Sequence, residues 1–284
     1  MSHPEKDEVS GRETTGHEWD GLKELNTPLP RWWLYVFYAT VIWGLAYTVV
    51  YPAWPTLSGY TKGVMGYSSR GELAETLATV EKGRAGWKSR FETTSVSDIL
   101  KDTELLTYAM AGGRAVFAEN CAPCHAAAGS GSAGYPSLAD DDWIWGGTAD
   151  AIYQTVRYGV RSGHDDTRAG EMPNFKADGT LNDKQIADVA AHVLSLSGGA
   201  RNAAGAKVYA ENCASCHGDA GRGNAELGAP NLADAIWLYG GTEAQVQAQI
   251  AAPKHGVMPA WVGRLDDVTV KQVSIYVHAL GGGQ

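Results

Sequence analysis

The sequence predicts an all-α protein: one N-terminal transmembrane helix followed by two tandem copies of a small helical domain. Three observations predict it. Residues 32–51 are apolar and free of charge, the stretch from 109 to 284 repeats itself, and apolar residues there recur at helical rather than strand spacing. A chain of 284 residues has room for about two domains. With 44% hydrophobic and 19% charged residues it is neither disordered, collagenous nor a coiled coil. Thirty-two acidic against 23 basic residues, a net charge of −9, exclude the basic face that nucleic-acid binding requires. A mean hydropathy of −0.24 suggests a soluble chain, but only as an average.

The average conceals WWLYVFYATVIWGLAYTVVY (32–51), bounded by Arg31 and Pro52. Twenty helical residues rising ~1.5 Å each cover ~30 Å, the hydrocarbon thickness of a bilayer. Trp32, Trp33 and Tyr35 stand at one end and Tyr47, Tyr51 and Trp54 at the other, where amphipathic rings meet the interfaces. The run is too long for a signal peptide, and PAWP offers no cleavage site, so 32–54 reads as an uncleaved anchor behind a tail at 1–31. Arg12, Lys23 and Arg31 before the span, against Lys62 and Arg70 after it, tilt weakly toward an inside N-terminus. Thr40, Gly44 and Thr48 form a small-residue face that admits a neighbouring transmembrane helix.

Residues 55–108 read as a stalk or linker. GELAETLATVEKGR (71–84) has helix-forming composition, 98–110 a second short helix, and neither carries a ligand set. Beyond it GGRAVFAENCAPCH (112–125) matches AGAKVYAENCASCH (204–217), and YPSLADDDWIWGGT (135–148) matches APNLADAIWLYGGT (229–242). EMPNF (171–175) matches VMPAW (257–261), and the first copy is longer within GVRSGHDDTRAGE (159–171). The repeat divides the chain into domain 1 at 109–200 and domain 2 at 201–284. Helical spacing recurs at Ile152 and Val156, at Val246 and Ile250, at Ile186, Val189 and Val193, and at Val270, Val273 and Val277. Domains this small have thin cores and need a staple.

The staple is in the cysteines. All four lie in Cys121-Ala-Pro-Cys124-His125 and Cys213-Ala-Ser-Cys216-His217, the spacing of covalent c-type haem attachment. Two thiols reach the two porphyrin vinyl groups, and the adjoining histidine is held beneath the iron. A thioredoxin-like dithiol needs a βαβ context that is missing, and a zinc site needs two further ligands per copy. Two covalently bound haem c groups in two tandem class I cytochrome c-like domains are therefore expected. Met172 and Met258, at matching places in the copies, are the candidate sixth ligands; a thioether there raises the potential and suits electron transfer. Core packing is the alternative for each methionine. His164, His192, His255 and His278 are the alternative ligands, though each suits surface or packing better. The Pro136 and Pro230 carbonyls are candidate acceptors for the ligand histidines. Arg157 and Arg161 are candidate partners of a haem propionate, with solvated arginine as the rival reading. Trp143, Trp145 and Trp237 either wall the haem crevices or simply pack the core.

HEWDGLKELNTPLPRWW (17–33), YPAWP (51–55) and GVRSGHDDTRAGEMPNF (159–175) are more specific than CxxCH. Through them the chain, over 17–284, resembles the dihaem subunit of cbb3-type cytochrome c oxidases, the CcoP or FixP family. The resemblance implies an electron-transfer subunit with no catalysis of its own, working in an inner-membrane oxidase that reduces oxygen. It implies a periplasmic or membrane-anchored cytochrome c donor, a monohaem cytochrome c partner subunit and a haem–copper catalytic subunit. It also carries ligand roles onto Cys121, Cys124, His125, Met172, Cys213, Cys216, His217 and Met258. Because bacteria attach haem c outside the cytoplasmic membrane, the haem domains are expected to be periplasmic and the N-terminus cytoplasmic. A free-standing tethered cytochrome shuttle and a dihaem peroxidase are the alternative functions.

Overall fold

In a computed structural model the structure describes residues 4–234 and 236–283. The chain forms two units, 1–83 and 84–284.

The first unit holds more order than a tail and an anchor. Strands β1 (Thr14–Trp19) and β2 (Leu22–Leu25) pair antiparallel. Asp20 and Gly21 join them with φ of 48° and 86°, the two left-handed residues that a tight hairpin turn demands. An Asp-Gly pair between Trp19 and Leu22 is the sequence signal for it, so 1–31 is not simply a polar tail. Helix α1 (Arg31–Val50) follows; it has a mean hydropathy of 1.5 and buries none of its side chains. It stops just before Tyr51-Pro52, because the residue preceding a proline is pushed out of helical geometry. A short pair, β3 (Pro55–Thr56) and β4 (Gly59–Tyr60), precedes α2 (Ser69–Thr93), which begins in this unit and ends in the next.

The second unit continues through α3 (Val96–Ile99), α4 (Thr103–Asn120), α5 (Ala122–His125), α6 (Ala149–Tyr158), α7 (Asp183–Leu196), α8 (Ala203–Asn212), α9 (Ala214–His217), α10 (Glu243–Ala251) and α11 (Asp267–His278). The duplicated Gly-Gly-Thr explains one pair of starts. Thr148 caps α6 and Thr242 caps α10, each hydroxyl accepting a backbone N–H of the first turn. Residues 84–108 are not a free stalk. Phe91, Val96, Ile99 and Leu105 pack with Val268 and Ile275 of α11 in one buried cluster. The buried Lys271 ammonium donates to the carbonyls of Phe91 at 2.7 Å and Thr94 at 2.9 Å, satisfying the C-terminal end of α2.

The packing of the two repeats is crossed. One core joins Phe117 of α4, Ile152 and Val156 of α6, and Val270, Val273 and Val277 of α11. The other joins Ile186, Val189 and Val193 of α7, Val208 and Tyr209 of α8, and Val246 and Ile250 of α10. The first helix of each copy thus packs on the last helix of the other. Equivalent glycines mark the same close approach in both. A Cβ on Gly113 would lie 2.3 Å from the Gln272 carbonyl oxygen, and one on Gly205 1.9 Å from that of Asp188. The division at 109–200 and 201–284 therefore follows the duplicated sequence and not the spatial cores. One core runs continuously from Met172 to Ala251, while the other combines Val116–Val156 with Met258–Leu280. The short 197–202 connection favours this outcome, since consecutive helices on short links become neighbours.

Candidate haem sites

Each CxxCH forms a single helical turn at the end of a longer helix. The amides of Cys124 and His125 donate to the Cys121 carbonyl at 3.1 and 2.9 Å, and those of Cys216 and His217 to Cys213 at the same distances. Two thiols and an imidazole are thereby presented on one turn. None of the four cysteines is in a disulfide. Burial pushes the Cys121 and Cys213 thiols up to about 11, the opposite of a reactive dithiol.

The imidazoles are oriented from behind. His125 Nδ1–H donates to the Pro136 carbonyl at 3.0 Å, and His217 Nδ1–H to that of Pro230 at 3.0 Å. This tautomer leaves Nε2 with its lone pair free for iron. Burial lowers the pKa of both rings, which keeps them neutral. Gly131 and Gly223 make the return loops possible, each left-handed and donating its N–H to the carbonyl of its own histidine. A Cβ on Gly131 would stand 2.6 Å from the Ser137 nitrogen.

The crossing also decides which core each methionine packs against. Met258 packs in the core that includes Cys121, Ala122 and Trp143, and Met172 in the core with Cys213, Ala214 and Trp237. Backbone pairing between Met258 and Val160, at 2.9 and 3.0 Å, draws the later methionine to the earlier site. The two methionine loops meet at a seam. Arg161 donates from Nη1 to the Gly170 carbonyl at 2.6 Å and from Nε to the Gly256 carbonyl at 2.8 Å. Gly170 and Gly256 are equivalent positions, each two residues before a methionine. Nε2 of His255 also accepts the Met172 amide at 3.1 Å.

A porphyrin fits by the chemistry of the donors: two free thiols and a neutral imidazole on one turn, with a half-buried thioether packed against the same core. Residues 11–58 match the family described as the N-terminal domain of cytochrome oxidase-cbb3, FixP. Residues 110–197 match cytochrome c, and 200–277 match cytochrome C oxidase, cbb3-type, subunit III. The cbb3-type cytochrome c oxidase subunit FixP of Bradyrhizobium sp. (strain ORS 278) is 54% identical over 287 residues, covering 99% of both chains. The FixP subunit of Sinorhizobium medicae (strain WSM419) is 51% identical with the same coverage, and the CcoP subunit of Azospirillum brasilense 50% over the whole of both chains. The chain belongs to the FixP/CcoP family.

As a FixP/CcoP member it carries two covalently bound c-type haems and is membrane-anchored, α1 being the one candidate span among the described residues. The two arginines expected at the propionates have protein partners among the described residues. Arg161 spends two donors on the carbonyls of the seam, and Arg157 pairs with Asp267 at 3.1 Å and bonds the Tyr153 hydroxyl. Of the alternative histidine ligands, His164 accepts the Asp166 amide, His192 lies against Tyr209, and His255 serves the Met172 loop. Trp143 and Trp237 are part of the two cores, whereas Trp145 reaches across the seam to Gly228 and Gly170. Its counterpart Tyr239 reaches the other way, to Gly134 and Gly256. Sequence reasoning singled out neither Arg168 nor Tyr239, since a lone arginine or tyrosine in a loop carries no periodicity or spacing.

Proposed function

We propose that the chain relays electrons within a cbb3-type oxidase. It takes them from a periplasmic or membrane-anchored cytochrome c and passes them over two haems to a monohaem partner subunit, which feeds the oxygen-reducing catalytic subunit. Helix α1 holds it in the bacterial inner membrane, with the N-terminus cytoplasmic and the haem domains periplasmic. The compartment of haem attachment supports that orientation, as does the charge on the two flanks of the span.

The observation that carries this reading is that each CxxCH turn shares a core with one methionine, Met258 with Cys121 and Met172 with Cys213. Cys121 and Cys124 would hold one haem, with His125 and Met258 the ligands offered to its iron; Cys213 and Cys216 would hold the other, with His217 and Met172. Held by a histidine and a thioether, such an iron would have a raised potential and would serve electron transfer rather than chemistry on a substrate. The protein's own work is to fix those ligands. Pro136 and Pro230 orient the imidazoles, while Arg161 and His255 hold the methionine loops. A net charge of −9 gives a basic donor a field to follow, so its reduction of the chain should slow as salt rises.

The test is to solubilise the native membrane complex, count haem c per chain by pyridine haemochrome, and expose the reduced subunit to carbon monoxide. Two haems per chain, no carbon monoxide binding at either, and co-purification with a catalytic oxidase subunit are expected. A chain that purifies alone and binds carbon monoxide overturns the reading.

A further inference from the structure

Arg168 stands in the seam with an unused charge. Its Nε is buried without a hydrogen-bond partner, and among the described residues no carboxylate pairs with its guanidinium. Its side-chain contact is with the face of Trp145, whose ring centroid lies 5.7 Å from Cζ. Burial lowers the pKa of this arginine. A half-buried guanidinium left in that condition is costly, and an anion supplied from outside the polypeptide removes the cost.

The position of Trp145 says where that anion comes from. A Cβ on Gly228 would stand 2.2 Å from the far edge of the indole, and one on Gly170 3.1 Å from it. Gly228 leads into Pro230, the acceptor of His217, and Gly170 leads into Met172. Trp145 therefore borders the second haem site between its imidazole-side and methionine-side loops, with Arg168 over its face. The propionates are the anionic groups of a porphyrin.

Building on the function proposed above, we propose that Arg168 is the counter-cation of a propionate of the second haem, held at the seam on the face of Trp145. Trp145 itself belongs to the sequence that builds the first site, so this ion pair ties the two haem sites together. A planar guanidinium suits a carboxylate, by one or two charge-assisted hydrogen bonds. A fixed positive charge there also favours the reduced iron, which carries one positive charge fewer, and so raises that haem's potential.

The experiment compares R168Q and R168K with the wild-type chain in its native complex. Its readouts are the midpoint potential of each haem and the redox-difference infrared bands of propionates carrying a ¹³C label. In R168Q the redox equilibrium of one haem should shift about three- to tenfold toward the oxidised form, tenfold being 59 mV for one electron. The other haem should stay in place and the labelled carboxylate bands should move. R168K, which keeps the charge and loses the fork, should show a smaller shift of the same sign and altered bands. Two loaded haems with wild-type midpoints and wild-type propionate bands in R168Q overturn the proposal, as does an equal shift of both haems. If R168Q fails to load haem, wild-type propionate bands in a loaded R168K overturn it equally. Haem counting in the wild-type chain is a separate measurement: absence of covalent haem there defeats the functional reading, whereas two haems with an inert Arg168 defeat only this inference.

Discussion

The backbone amide of Met172 donates to Nε2 of His255 at 3.1 Å, across 83 positions of sequence and between the two copies of the repeat. His255 lies three residues before Met258, so one imidazole links the loops that serve both crevices. Replacing it with alanine leaves the Met172 amide without this acceptor, a loss of about 1 kcal/mol, or roughly fivefold in the population of a detached methionine. The far-red methionine–Fe(III) charge-transfer band of the second haem should weaken in H255A. An undiminished band would show that the contact does not position Met172.

The crossed ligation proposed above makes a prediction opposite to sequence order. In a chain that attaches only the first haem, through C213A/C216A, M258A should abolish the methionine–iron band and M172A should leave it. In the reciprocal C121A/C124A chain the roles should exchange. Loss of the band through the methionine of the same sequence copy would show that ligation is not crossed.

Arg161 touches both methionine loops at equivalent carbonyls, so its loss should be felt at both haems. Two hydrogen bonds from a charged donor are worth about 3 kcal/mol together, shared between the loops. R161L should weaken the charge-transfer band of both haems, in contrast to the single-haem effect expected of R168Q. A spectral change confined to one haem would show that Arg161 holds only one loop.

Lys271 is 7% exposed and gathers the carbonyls of Phe91, Glu92 and Thr94, with Asp267 at 3.6 Å. K271M would leave those carbonyls without their donor, at a cost of about 2–3 kcal/mol. Thermal unfolding should fall by several degrees while the haem spectrum stays unchanged. An unaltered Tm would mean that the 84–102 segment does not depend on this lysine.

Asp142 carries a pH-dependent cost. Burial, and then the neighbouring Asp234, Asp140 and Asp141, push its carboxyl up from 3.8 to about 6. The folded state therefore holds a proton that the unfolded state releases, and stability declines as pH rises through the window from 3.8 to about 6. Because the group is half-exposed, solvent screening reduces the effect to about 1 kcal/mol. D142N should melt higher than wild type above that window and converge with it below. Melting curves that keep a constant separation across the window would count against the assignment.

The features read correctly from sequence are local or covalent. CxxCH needs five consecutive residues to place two thiols and an imidazole on one turn, and Gly-Gly-Thr needs three to start α6 or α10. The Asp20–Gly21 hairpin had its signal too, but alternation around it is short. The partner of each helix was not legible, because Ile186, Val189 and Val193 of α7 carry the same apolar spacing as Val270, Val273 and Val277 of α11. Either stripe can cover Phe117 of α4 or Tyr209 of α8. Lys271 was hidden for a similar reason: on α11 it looks like a solvated lysine until Phe91 and Thr94 are brought over it.

The sequence by itself determined the apolar span, the two haem-attachment turns and the two candidate thioethers, since each follows from residue type at short spacing. Only the tertiary structure decided which methionine packs in the core of which CxxCH turn, and which aromatic ring crosses to the neighbouring site. Those choices depend on how nearly identical surfaces are shared between two copies. In a duplicated chain the apolar pattern is the same for both partners, so the connections and the close contacts at Gly113, Gly205 and Arg161 set the outcome.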